Sequence, residues 1–149
     1  GSSCSLLTAR DLDVTMDFDG LAARGSALGT ASIIVMDDSA DMVKVATRLM
    51  QFYQNESCGK CTPCREGTRW MVQVLQRIEA GGGTYKDLET INQVCTSMAA
   101  TSFCPLAVGA APPVVSAIAA FKNEFEAYIQ RNPNAHGTPT MPVAYPYMK

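Results

Sequence analysis

Glu56-Ser57-Cys58-Gly59-Lys60-Cys61-Thr62-Pro63-Cys64-Arg65-Glu66-Gly67-Thr68 decides how this chain is read. Its three cysteines are separated by two-residue gaps, so their side chains leave the backbone within one short turn. That spacing suits thiolates that grip the corners of one iron–sulfur cubane. A fourth ligand must come from elsewhere. Two cysteines compete for the role: Cys104 precedes Pro105 in a segment read as a loop over 101–111, whereas Cys95 falls on an apolar helical stripe. A cysteine on such a stripe behaves as a small hydrophobe, which favours Cys104. Cys4 lies outside the expected bundle and has no predicted partner. Thr62 and Pro63 fit the N-cap and first turn of a helix, where free N–H groups and the helix dipole favour negative charge. Lys60, Arg65 and Arg69 add positive charge, which stabilises thiolates.

Outward from the motif the pattern is helical. A first helix over 39–54, capped by Asp38 or Ser39, carries Met42, Val45, Ala46, Leu49, Phe52 and Tyr53 on one stripe. A second runs from the motif to Gly81-Gly82-Gly83, with Trp70, Met71, Val74, Leu75 and Ile78 inward. Thr84, with Asp87 three residues on, caps a third bearing Leu88, Ile91, Cys95 and Met98. A fourth spans about 112 to 131, with Val114, Ile118, Phe121, Phe125 and Tyr128 on one side and Glu124 and Glu126 outward. Helices joined by short links predict a mainly α, four-helix bundle over 39–131 carrying a [4Fe-4S] cluster. Residues 1–38 hold turn formers and one β-branched run, Ala31 to Met36, which reads as a buried strand from a small β module. The stretch 132–149, rich in Pro, Asn and Met, reads as an irregular tail.

Composition narrows the function classes. With 149 residues and 47% apolar content, the chain can build a sizeable core of its own. A net charge of -2 argues against nucleic acid as a partner. No apolar run is long enough to insert in a membrane, and a soluble protein is expected. The six cysteines, in a chain that does not need staples, point to a reducing compartment rather than to disulfides. Zinc is the rival of iron–sulfur, giving a zinc-stapled helical interaction module. However, structural zinc sites usually take two separated pairs, and the only histidine, His136, sits in the polar tail.

The motif over 56–68 resembles the signature of the NADH-oxidising flavoprotein subunit of respiratory complex I (the NuoF family), shared with diaphorase subunits of NAD-linked hydrogenases and formate dehydrogenases. Met16-Asp17-Phe18-Asp19, Gly25 to Gly29 and Ile33 to Asp37 resemble the end of that family's β-grasp module, and Thr101 to Val114 with Phe121 and Phe125 its last helices. The resemblance implies Cys58, Cys61, Cys64 and Cys104 as ligands of one [4Fe-4S] cluster. It implies a one-electron relay that accepts from FMN reduced by NADH and passes electrons to other iron–sulfur subunits of the same complex. The expected setting is the cytoplasmic peripheral arm of a membrane-associated complex. The Gly-rich N-terminal flavin domain that holds FMN and NADH in the family is not among these residues, so the chain by itself is not expected to oxidise NADH. At the fourth ligand the family often reads Cys-Ala-Leu-Gly-Asp. Here the run is Cys104-Pro105-Leu106-Ala107-Val108, which widens the field to diaphorases of other complexes.

Overall fold

A computed structural model describes residues 1–132. Among them lie six α-helices and one short 3-10 turn, with no strand. The helices are α1 (Phe18–Ala23), α2 (Met42–Glu56), α3 (Thr62–Glu79), α4 (Tyr85–Thr101), α5 (Pro105–Ala120) and α6 (Lys122–Gln130); the 3-10 turn is Ala9–Asp11.

The mainly helical class agrees with the sequence, and the caps show why the helices stand where they do. Asp41, not Asp38 or Ser39, caps α2, accepting from the N–H groups of Val43 and Lys44. Asp37 instead closes a turn with Ser39. Thr84 and Asp87 form the expected capping box on α4. The helix α3 stops at the glycines: Gly82 N–H donates to Arg77 O and Gly81 N–H to Ile78 O, which satisfies carbonyls that the helix leaves over.

Helix α2 packs on α3 and α5, and α4 packs on the same two helices from the other side. The core between them holds Val43, Met50, Met71, Leu75, Ile78, Ile91, Met98 and Val114, all nearly inaccessible to solvent. Burying a side chain of this size contributes roughly 1.5–3 kcal/mol. Gly67 sets the approach of α3 to α4, since a Cβ there would lie 3.2 Å from Met98 Sδ. Helix α6 crosses over α2, α3 and α5, seating Phe125 at 0% exposure.

The structure corrects several expectations. The fourth helix does not begin at Pro112-Pro113. It begins at Pro105, carries both prolines inside, and breaks at Phe121, where α6 leaves α5 at 78°. Two prolines remove two helical N–H donors and ordinarily mark a start. Here Pro113 and the flanking Ala107, Ala110 and Ala117 are fully buried in the core, so tertiary packing overrides the local signal. Trp70 and Phe52 are 53% and 48% exposed, because each adjoins a residue, Met71 and Tyr53, that takes the inward position. Glu124 is not simply outward: its Oε2 accepts from the Met42 N–H at 2.9 Å.

The predicted buried strand is also corrected. Ile33, Ile34 and Val35 are 66%, 60% and 86% exposed in irregular backbone. A strand needs a neighbour to take its N–H and C=O groups, and the described residues supply none. The first residues are nevertheless tied to the helical body. Tyr53 Oη donates to Ser2 O at 3.0 Å and lies 2.6 Å from Ser3 Oγ, and the Leu6 N–H donates to Ser116 Oγ at 2.8 Å. Cys4, expected outside the bundle, is 5% exposed, and its sulfur lies against Gly29, where a Cβ would come within 3.3 Å of it. The tail, 132–149 with His136, lies outside the described residues from 133 onward.

Candidate metal centre

The connectivity of α2 to α5 puts four helix ends together. The end of α2 leads through Ser57 into the motif, and α3 starts there. The end of α4 leads through Ser102 and Phe103 to Cys104, where α5 starts. The N-cap of α3 is Cys61, one residue earlier than expected, and the N-cap of α5 is Cys104. Neither side chain accepts a bond from its own helix. Two helix N-termini, with orphan N–H groups and positive dipole ends, are therefore fronted by sulfur instead of by the usual oxygen caps.

One hydrogen bond joins the two remote stretches. The Phe103 N–H donates to Cys61 Sγ at 3.5 Å, linking the residue before Cys104 to the middle cysteine of the motif. Cys64, in the first turn of α3, is 6% exposed and has Ser57 Oγ at 3.3 Å from its sulfur. Cys58 and Cys104 are exposed and Cys61 is half-buried. The turn between Cys58 and Cys61 is made by Gly59, at φ +77°, where a side chain would be strained. Arg65 Nη1 braces it by donating to Gly59 O at 2.5 Å.

Cys95 behaves quite differently. It is 3% exposed in the middle of α4, its thiol lies 3.2 Å from Met71 Sδ, and burial pushes its pKa up to about 12. A thiol so reluctant to ionise is a poor ligand. The electrostatic expectation is met only in part. Arg65 and Arg69 both lean on Glu66, at 3.0 and 3.8 Å, so that carboxylate offsets some of their charge beside the motif.

Among the described residues no three His, Cys, Asp or Glu side chains lie close enough together to hold a metal ion, so the structure joins the two cysteine stretches through the Phe103 N–H rather than as a closed ligand set. Four thiolates drawn from one short motif and one remote loop suit the corners of a cubane, whereas structural zinc usually takes two separated pairs. The Ser102 hydroxyl oxygen is buried and finds no hydrogen-bond partner among the described residues, although it lies in the very turn that brings Cys104 to the motif. Sequence reasoning singled out the cysteines but gave no role to Ser57, Ser102 or Phe103. The signal for Ser57 was its place beside the first cysteine at a helix end.

Comparison with known proteins points the same way. A family model described as the NADH-ubiquinone oxidoreductase-F iron-sulfur binding region matches residues 44–128, from the first turn of α2 to Tyr128. The chain is 49% identical over 130 residues to the second F-type subunit of the NADH-quinone oxidoreductase of Rhizobium meliloti (strain 1021), covering 87% of this chain and 31% of that protein. It is 46% identical over 129 residues to the F-type subunit of the same enzyme in Streptomyces coelicolor, covering 87% and 29%. The chain thus spans about three-tenths of the length of these curated relatives. Among solved structures, an NAD+-reducing [NiFe]-hydrogenase in the H2-reduced state superimposes with a TM-score of 0.78 at 32% identity, over 87% of this chain and 22% of that one. The match runs through both helix starts that carry the cysteines, and the chain belongs to the NADH-ubiquinone oxidoreductase-F iron–sulfur binding family.

Proposed function

We propose that Cys58, Cys61, Cys64 and Cys104 hold the [4Fe-4S] cluster of this family, and that the chain is the electron-relay portion of an NADH:quinone oxidoreductase flavoprotein subunit. The observation that carries the reading is the Phe103 N–H on Cys61 Sγ, because it joins the fourth candidate to the trio across 42 positions of sequence. When bound, the cluster supplies reversible one-electron transfer. The chain's own residues supply the rest. Two helix starts present sulfur to it, Arg65 fixes the Gly59 turn, and the buried side of the site excludes water around Cys64.

In this reading FMN and NADH bind to an N-terminal flavin domain beyond these residues, and other iron–sulfur subunits accept the electrons on the cytoplasmic peripheral arm. The division into 1–38, 39–131 and 132–149, with a four-helix bundle at its centre and a β-grasp end before it, belongs to the same proposal. Among the described residues no single helix is long and apolar enough to cross a membrane. A second reading, a diaphorase subunit of an NAD-linked hydrogenase, is favoured by the Cys104-Pro105-Leu106 run and by the likeness to the NAD+-reducing hydrogenase.

Anaerobic reconstitution of the chain, with iron and sulfide analysis and EPR of the reduced sample, tests the ligand assignment. Equal iron and sulfide with a brown colour and a reduced-cluster signal are expected. A colourless protein that takes up one zinc and no sulfide overturns it.

A further inference from the structure

Ser57 is the residue at which α2 hands over to the motif, and three bonds define its position. Its N–H donates to Tyr53 O at 3.0 Å, ending the helix. Its Oγ accepts from the Gly59 N–H at 3.4 Å. The same Oγ lies 3.3 Å from Cys64 Sγ. Across that last contact either the hydroxyl or the thiol can be the donor. Once Cys64 is a thiolate bound to iron, its sulfur has no proton to give, and only the Ser57 hydroxyl can donate. The Gly59 N–H already occupies one lone pair of Oγ, which leaves the hydroxyl hydrogen free to turn to the sulfur. Thr68, the hydroxyl one helical turn after Cys64, is spoken for: its Oγ1 donates to Cys64 O at 2.8 Å. Cys64 is only 6% exposed, so water competes poorly for the bond.

We infer that Ser57 is a positioning residue for the cluster, donating its hydroxyl to the Cys64 sulfur and thereby raising the reduction potential. The inference rests on the proposed role of Cys64 as a ligand. Its physical basis is charge. Reduction adds one electron to a site of low polarity, and a donor at sulfur stabilises the more negative state more than the less negative one. Among the described residues this is the one side-chain hydrogen bond to a sulfur of the motif; the other bond, from Phe103, is backbone and no substitution can remove it directly. A purely structural Ser57, serving only to end α2 and steady the turn at Gly59, would affect stability and leave the potential where it was.

The test uses the full chain, reconstituted anaerobically, with Ser57→Ala, Ser57→Thr and Ser57→Val. Thr and Val have nearly the same shape and differ in the hydroxyl. Iron and sulfide are measured first, then the midpoint potential by EPR-monitored redox titration. Ser57→Ala and Ser57→Val should show a several-fold fall in the reduction equilibrium constant, a tenfold fall reading as about 59 mV for one electron. Ser57→Thr should stay near the unaltered chain. Equal potentials in all four proteins, each with a full cluster, overturn the inference and leave the ligand assignment intact. If Ala and Val lose the cluster, its retention in Thr supports the hydroxyl's role, and its loss in Thr as well overturns it. An unaltered chain that binds no iron–sulfur cluster overturns the ligand assignment and this inference with it.

Discussion

The two ends of the α2–α5 body solve the same problem in opposite ways. At the end built from the starts of α2 and α4, oxygen atoms close the caps of both helices. Asp41 accepts from Val43 and Lys44, Tyr128 donates to Asp41, Glu124 reaches the Met42 N–H, and the Thr84–Asp87 box is braced by Arg77. At the other end the starts of α3 and α5 are capped by Cys61 and Cys104, whose side chains take no bond from their own helices. The first end is nearly complete as protein, with Arg77 Nε its one buried side-chain group lacking a partner among the described residues. The second holds sulfur in reserve at two positive helix termini, with a buried Ser102 hydroxyl that lacks a partner among the described residues. Stability is concentrated where polar groups are matched, and chemistry where they are left to be matched by something else.

The sharpest way to break this contrast is Cys104→Ser. It removes the thiolate from the start of α5, and loss of the cluster is expected, read as loss of brown colour and of the reduced EPR signal. Retention of a full cluster would show that the fourth ligand lies elsewhere. Cys95→Ala is the matched control: the cluster should survive, and only a small cavity opens against Met71. Full cluster content by iron and sulfide analysis checks the first half of that statement.

The oxygen-capped end should respond in stability rather than in cofactor content. Asp41→Ala removes the α2 cap and leaves Tyr128 without its acceptor, so a loss of about 1–2 kcal/mol is expected in denaturant titrations of the metal-free chain. The acid response of the same group follows from its pKa. Burial pushes the Asp41 carboxyl up, but the hydrogen bonds from Tyr128, Lys44 and Val43 and the Lys44 charge outweigh it and hold the pKa below 3.8. A depressed carboxylate contributes stability that is present above its unfolded value and is lost as pH falls through the folded one. Thermal melts of the metal-free chain should therefore lose stability below about pH 4, with a smaller acid loss in Asp41→Asn. The smallest effect is Cys95→Ala on stability itself, on the order of 1 kcal/mol from a buried side chain shortened by one atom, read as a modest fall in Tm.

The contrast also separates what was readable in the chain from what was not. Thr84 with Asp87, the glycines after α3, and the motif with its helix start all act over four or five residues, so their meaning lies in the sequence itself. The Asp41 cap was missed because Asp37, Asp38, Ser39 and Asp41 can all cap, and Tyr128 and Glu124, more than eighty positions away, help decide among them. The run Ile33 to Met36 has the composition of a buried strand, but strand formation depends on a partner that no local pattern reports.

By itself the sequence determined the helical class, three clustered thiols and a preference for Cys104 over Cys95, because periodicity, capping and cysteine spacing are short-range properties. Only the tertiary structure decided that Pro112 and Pro113 lie within α5, that Trp70 faces solvent, and that the Phe103 backbone meets Cys61. Each of those depends on how whole helices pack against one another, and packing joins residues that no local rule connects.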